Sequence, residues 1–176
     1  MVAKVDWVAV ASGYYYATVH FVATIGTLIW LYRRHPELYR RARRVRAVAS
    51  FSALIGYRFF PAAPPRLVDP HLTDILVTHN IFGVAHAAKS GGFVNIYAAM
   101  PSLHVGWAFW VAAAITRTST ARWRHAAWLY PVTTTLVVLG TANHYVLDTA
   151  SGAAIVLVAA LVVRLSPAVA AKLAES

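Results

Sequence analysis

Long apolar stretches alternate with short basic ones along this chain. The first apolar stretch covers residues 7–32, long enough at about 1.5 Å per residue to cross about 30 Å of hydrocarbon. A second, residues 45–60, is short for a span and stops against Pro61, Pro64 and Pro65, which cannot continue a helix. Three more follow, at residues 101–116, 126–142 (with Pro131 as a kink point) and 145–165. The pattern predicts an all-α fold: a polytopic transmembrane helix bundle of about five spans, forming one domain over residues 1–176. In the region between the second and third stretches, Leu72, Ile75, Leu76, His79, Phe82 and His86 recur at three- and four-residue steps. That spacing predicts an amphipathic helix lying on the membrane surface, broken at Gly91-Gly92.

Composition moves the same way. The 176 residues are 59% hydrophobic and only 12% charged, where soluble domains carry roughly 25% charged residues. A net charge of +10 would point to nucleic acid on a soluble protein. Here the cations sit in short runs between apolar stretches, as the positive-inside bias requires, so no nucleic-acid partner is expected and the surrounding partners are membrane lipids. Seven arginines lie between Arg33 and Arg46, and Arg117, Arg122 and Arg124 form a second basic loop. With the N-terminus outside, twelve basic residues face the cytoplasm and four (Lys4, Arg58, Arg66 and Lys89) face outward. The first apolar stretch is too long for the core of a cleaved leader and reads as a span. The absence of cysteine excludes disulfides and thiolate chemistry.

This orientation gathers the unusual polar residues at the outer face. In Met100-Pro101-Ser102-Leu103-His104, proline suits the first position of a helix. The amides of Ser102 and Leu103 would then make an anion site at the positive end of the helix dipole, within reach of His104. His144 and Asp148 are four apart, hence on one helix face. A carboxylate there can fix the imidazole tautomer and leave the other ring nitrogen nucleophilic, with Asn143 as N-cap. Arg58 and Arg66 flank a stretch of three prolines, and arginine forks match phosphate oxygens. Arg66 is the stronger phosphate candidate, and Lys89 adds charge.

Pro101-Ser102-Leu103-His104, followed forty residues later by His144-Tyr145-Val146-Leu147-Asp148, resembles the type 2 phosphatidic acid phosphatase superfamily. The text around both motifs, with Pro64-Pro65-Arg66-Leu67, looks closest to its bacterial branch related to inositol phosphorylceramide synthases. The resemblance implies a metal-independent lipid phosphatase or phosphotransferase with no cofactor, acting on a phospholipid or polyprenyl (di)phosphate. It implies His144 as nucleophile forming a phosphohistidine, Asp148 orienting it, His104 as general acid and base, and Arg66 with the amides near Ser102 holding the phosphoryl oxygens. The chain departs from the family pattern in two places. The usual lysine and Arg-Pro pair is absent around Arg58 and Arg66, and Val138 stands where an arginine precedes the histidine of the third motif.

Two other classes compete. A transporter or channel would relay protons through His20 and the outer histidines, but such proteins place charge near the bilayer middle. A zinc hydrolase would use His71, His79, His86, His104 and His144, yet no His-Glu-x-x-His motif is present.

Overall fold

In the computed structural model, residues 5–83 and 97–174 are described, with side chains through residue 165. Every regular element among them is helical. Helix α1 spans Asp6–Arg34 and α2 spans Pro36–Phe59, separated by His35 alone. Pro36 forces that break, because a residue before proline is driven out of the helical region, and His35 has φ −141°. Proline then opens α2 without cost in the first turn, where its missing N–H is not needed. The arginine run is therefore helical rather than a loop, and the second helix begins at Pro36 rather than near residue 45. Arginine is a good helix former, and neither glycine nor proline interrupts residues 37–55.

The segment after α2 holds two single turns, α3 (Pro65–Val68) and α4 (Ile75–Thr78). The continuous amphipathic helix expected from residue 72 onward does not form in its described part. Asp74 caps α4 by accepting from the amides of Leu76 and Val77. Asn80 and Phe82 then turn into the left-handed region at φ 47° and 50°, which ends helical propagation. Buried Ile75 and Ile81 instead pin this segment to α1 at Gly13, where an added Cβ would approach the Ile81 side chain to 2.9 Å. His86, Lys89 and the Gly91-Gly92 break lie outside the described residues.

Helix α5 spans Leu103–Thr118. A 3-10 turn at Arg124–Trp128 leads into α6, Leu129–Gly140, and α7 spans Val146–Ala174. Pro131 falls in the first turn of α6, so it starts that helix instead of kinking it. Helix α7 packs against α2 and α5, and α5 also packs against α1 and α6.

Among the described residues, five longer helices thus occupy the five apolar stretches. Two of them, Asp6–Arg34 and the Val146–Leu165 part of α7, are long and apolar enough to cross a membrane. Helices α5 and α6, at 16 and 12 residues, are shorter than the roughly 20 residues of a full span.

The packing puts small residues inside and large apolar ones outside. Ala9, Gly13, Ala49, Ala53, Ala108 and Ala112 are buried, whereas Phe21, Ile25, Phe51, Ile55, Leu157 and Leu161 are exposed. Small interfacial residues let helix backbones approach closely. Large apolar side chains exposed in this way mark surfaces that meet a membrane or another protein.

Candidate active site

Helices α5 and α7 meet at their N-terminal ends through two glycines. A Cβ on Gly106 would come within 2.8 Å of the Gly152 carbonyl, and one on Gly152 would overlap the Ser102 carbonyl. Only glycine permits this approach, and it lets the Ser102 amide donate to the Asp148 carbonyl at 2.9 Å. The Ser102 hydroxyl accepts from the Val105 amide, so Ser102 is the N-cap of α5. The anion site expected at this helix start is accordingly changed. Ser102 is fully buried and its amide is already spent on Asp148, while Pro101 precedes the cap instead of opening the helix.

His144 arrives by a different route. After α6, Ala142 adopts φ 54°, and the amides of Asn143 and His144 both fold back onto the Val138 carbonyl, at 3.0 and 3.2 Å. The Asp148 carboxylate accepts from the Tyr145 amide at 2.8 Å, capping the start of α7 as a third-position acid does. Asn143 is not the cap. Its amide nitrogen donates to the Thr141 hydroxyl at 2.7 Å, and its oxygen accepts from Arg66.

The imidazole of His144 is buried, with Nδ1 2.8 Å from the Ala99 carbonyl and 3.5 Å from Asp148 Oδ2. The closer partner is thus a carbonyl that sequence could not reveal. A carbonyl only accepts, so the proton resides on Nδ1 and the lone pair on Nε2. That Nε2 is buried without a hydrogen-bond partner. Ala99 is itself held by a two-bond bridge: its amide donates to the Ala62 carbonyl at 3.2 Å, and the Ala62 amide to the Tyr97 carbonyl at 2.9 Å. The proline-rich stretch is thereby tied to the approach to α5. Tyr57 adds a bond from its hydroxyl to the Pro101 carbonyl at 2.7 Å.

His104 and His144 come together, with ring centroids 5.9 Å apart. They line one cavity of about 240 Å³ with Tyr16, His20, Tyr57 and Trp107. His104 stacks on Tyr16 at 4.2 Å and meets the edge of His20 at 4.2 Å. Sequence reading singled out His20 only as a lone intramembrane histidine and missed Tyr16 and Tyr57. The one available signal was the four-residue step from Tyr16 to His20, which puts both on the same face of α1.

Arg66 joins the site at its edge. Its Nε donates to Asp74 Oδ2 at 2.9 Å and its Nη1 to Asn143 Oδ1, the residue next to His144. Arg58 does not join it: its side chain is exposed and lies over the Phe59 ring at 5.8 Å. Lys89, the remaining phosphate candidate, is outside the described residues.

The fold and site define a helical bundle with an apolar exterior and a histidine pair in a cavity at one end. The family model of the PAP2 superfamily matches residues 1–162, and the chain belongs to that superfamily, whose members are generally phosphatases. No curated protein and no solved structure matches it at a significant level.

Proposed function

We propose that the protein is a multi-pass membrane enzyme that transfers the phosphoryl group of a lipid phosphate ester, through a phosphohistidine, at the outer face of the membrane. The observation that carries this reading is the orphaned Nε2 of His144, its lone pair fixed by the Ala99 carbonyl, in the cavity it shares with His104. A buried nitrogen left without a partner costs free energy and is sensibly retained where a substrate atom is to be attacked.

In the first step Nε2 of His144 attacks phosphorus, and an N–P bond forms as the ester P–O bond breaks. His104, which takes up a proton as the phosphate's negative charge enters the cavity, gives that proton to the departing lipid oxygen. Neutral His104 then takes a proton from water or from an acceptor hydroxyl. The new oxygen attacks phosphorus, the N–P bond breaks and His144 returns. Water yields a phosphatase; an alcohol yields a phosphotransferase of the inositol phosphorylceramide synthase kind. Asp148 lies 3.5 Å from Nδ1 and stabilises positive charge on the phosphorylated ring. Arg66 supplies the cation that Val138 does not, using the guanidinium donors left over from Asp74 and Asn143 to hold phosphoryl oxygens.

The membrane reading rests on the two span-length helices and the apolar exterior. In this reading the chain makes five membrane passes, α5 and α6 being completed by the residues at their ends, including the 3-10 turn before α6; the N-terminus is outside, the arginine-rich start of α2 is cytoplasmic, and the histidine cavity lies on the periplasmic or extracellular side. The test is purified protein incubated with a panel of phospholipids, polyprenyl diphosphates and phosphoinositides, with free phosphate and transferred product both measured. Turnover should withstand EDTA and disappear in both His104→Ala and His144→Ala. Full activity in either variant, or strict metal dependence, would overturn the mechanism.

A further inference from the structure

A second, larger cavity of about 570 Å³ opens at the other end of the bundle, between α2, α5 and α7. Its volume falls within the roughly 300–1,000 Å³ of small-molecule sites. Val45 and Trp110 form its buried apolar depth, and exposed Leu161 continues it to the outer surface of α7. Three arginines from three different helices line it: Arg41, Arg117 and Arg164. All three are exposed, and none has an ion-pair partner among the described residues.

An apolar slot lined by unpaired guanidinium groups is complementary to a molecule with a hydrocarbon body and an anionic head. We infer that this groove binds an anionic phospholipid of the cytoplasmic leaflet, with an acyl chain along Val45 and Trp110 and the headgroup phosphate at Arg41, Arg117 and Arg164. Basic pockets between membrane helices on the cytoplasmic side suit such headgroups, and arginine forks bind phosphate oxygens bidentately. A water-soluble acidic ligand would leave the apolar depth unused. The groove shares no lining residue with the histidine cavity, which is built from α1, the last turn of α2, the first turns of α5 and His144. It rests on the chain lying in a membrane, a premise checked separately by whether the protein stays in the membrane fraction after alkaline extraction.

The experiment reconstitutes the full chain in nanodiscs of phosphatidylglycerol and phosphatidylcholine and counts lipids retained after detergent transfer by native mass spectrometry. The wild-type protein should retain phosphatidylglycerol at least tenfold over phosphatidylcholine. Combined Arg41→Gln, Arg117→Gln and Arg164→Gln should abolish that preference. The equal charge loss of Arg40→Gln, Arg43→Gln and Arg44→Gln, exposed arginines that do not line the groove, should preserve it. Ala160→Phe, which fills the groove with its arginines intact, should also release the lipid. Equal retention of the two lipids by wild type, equal losses in the two arginine triples, or undiminished retention in a monodisperse Ala160→Phe protein would each overturn the assignment.

Discussion

The two ends of the bundle hold their charge in opposite ways. At the basic end, arginines crowd the first turns of α2, Arg117 lies in the last turn of α5 and Arg164 lies within α7, yet among the described residues none of them forms an ion pair. At the histidine end charged groups are few, and most are fixed. Arg66 is clasped by Asp74 and Asn143, Asp148 caps α7, and His144 is held by a backbone carbonyl. The density of charge therefore does not mark the proposed site of chemistry. What marks it is preorganisation: each group is held by a second one, so little reorganisation is needed when charge develops. Exposed arginines without ion pairs suit a diffuse partner such as a lipid headgroup, whereas in-line transfer needs atoms held in one geometry.

The most severe way to break this contrast is at Gly152. Its Cβ would enter the Ser102 carbonyl, a backbone atom that cannot step aside. Gly152→Ala should separate α5 from α7, break the bond between the Ser102 amide and the Asp148 carbonyl, and displace His104 from His144. A shift of about 1 Å can cost about 100-fold in rate, so turnover should fall at least that far, with a lower melting temperature. Gly26→Ala is the matched control, because nothing lies within 4 Å of its added methyl. It should retain activity and gain up to about 1 kcal/mol from helix propensity. Equal behaviour of the two variants in turnover and thermal unfolding would remove the close helix contact from the account.

Next in size is the arginine clasp. Arg66→Lys keeps the charge but loses the planar fork that satisfies Asp74 and Asn143 together, and such a change is not conservative. We expect kcat/KM to fall about 10- to 100-fold, within the 1.5–3 kcal/mol of a hydrogen bond to a charged group, and Asp74→Asn to follow in the same direction by a smaller factor. Arg58→Ala, removing an exposed side chain that only covers Phe59, should change steady-state kinetics by less than twofold. A larger loss at Arg58 than at Arg66 would reverse their assignment.

How much of this was legible in sequence differs between the two ends as well. The positions of the five longer helices were readable, because long apolar runs bounded by prolines and arginines leave few alternatives. The extent of α2 was not, since an arginine run reads as a loop by polarity and as a helix by propensity, and propensity won. The histidine pair was readable from two short motifs, and Asp148 from its four-residue step. The partner of His144 Nδ1 was not, because a carbonyl has no residue signature. Nor was the fate of the Ser102 amide, which depends on the approach of α7 at Gly152. Arg66 could be chosen over Arg58 only weakly from the prolines, and it took the fold to bring Asn143 and Asp74 beside it. The surface helix does not form in its described part, because Asp74 caps a single turn and Asn80 turns left-handed, which the three- and four-residue recurrence of apolar residues does not register.

The smallest effect sits where the two ends communicate. Arg46 belongs to the arginine run by sequence, yet unlike its exposed neighbours it turns inward. Its guanidinium lies 4.4 Å from the centre of the Trp107 ring, and its Nε is buried without a partner. Trp107 in turn donates to the Ser50 hydroxyl at 3.1 Å and forms part of the wall of the histidine cavity. A cation over an indole ring is worth about 0.5–1 kcal/mol, and more when desolvated. Arg46→Gln removes the cation while keeping a helix-compatible side chain, so it should loosen one wall of the cavity without touching the histidines. The expected result is a two- to fivefold fall in kcat, the size of that stacking energy, with the response to EDTA unchanged. Arg44→Gln, two residues away and exposed, should show no such fall. If both variants behave alike, Arg46 is only another charge of the basic run, and the cavity wall is held by Ser50 and Trp107 without its help.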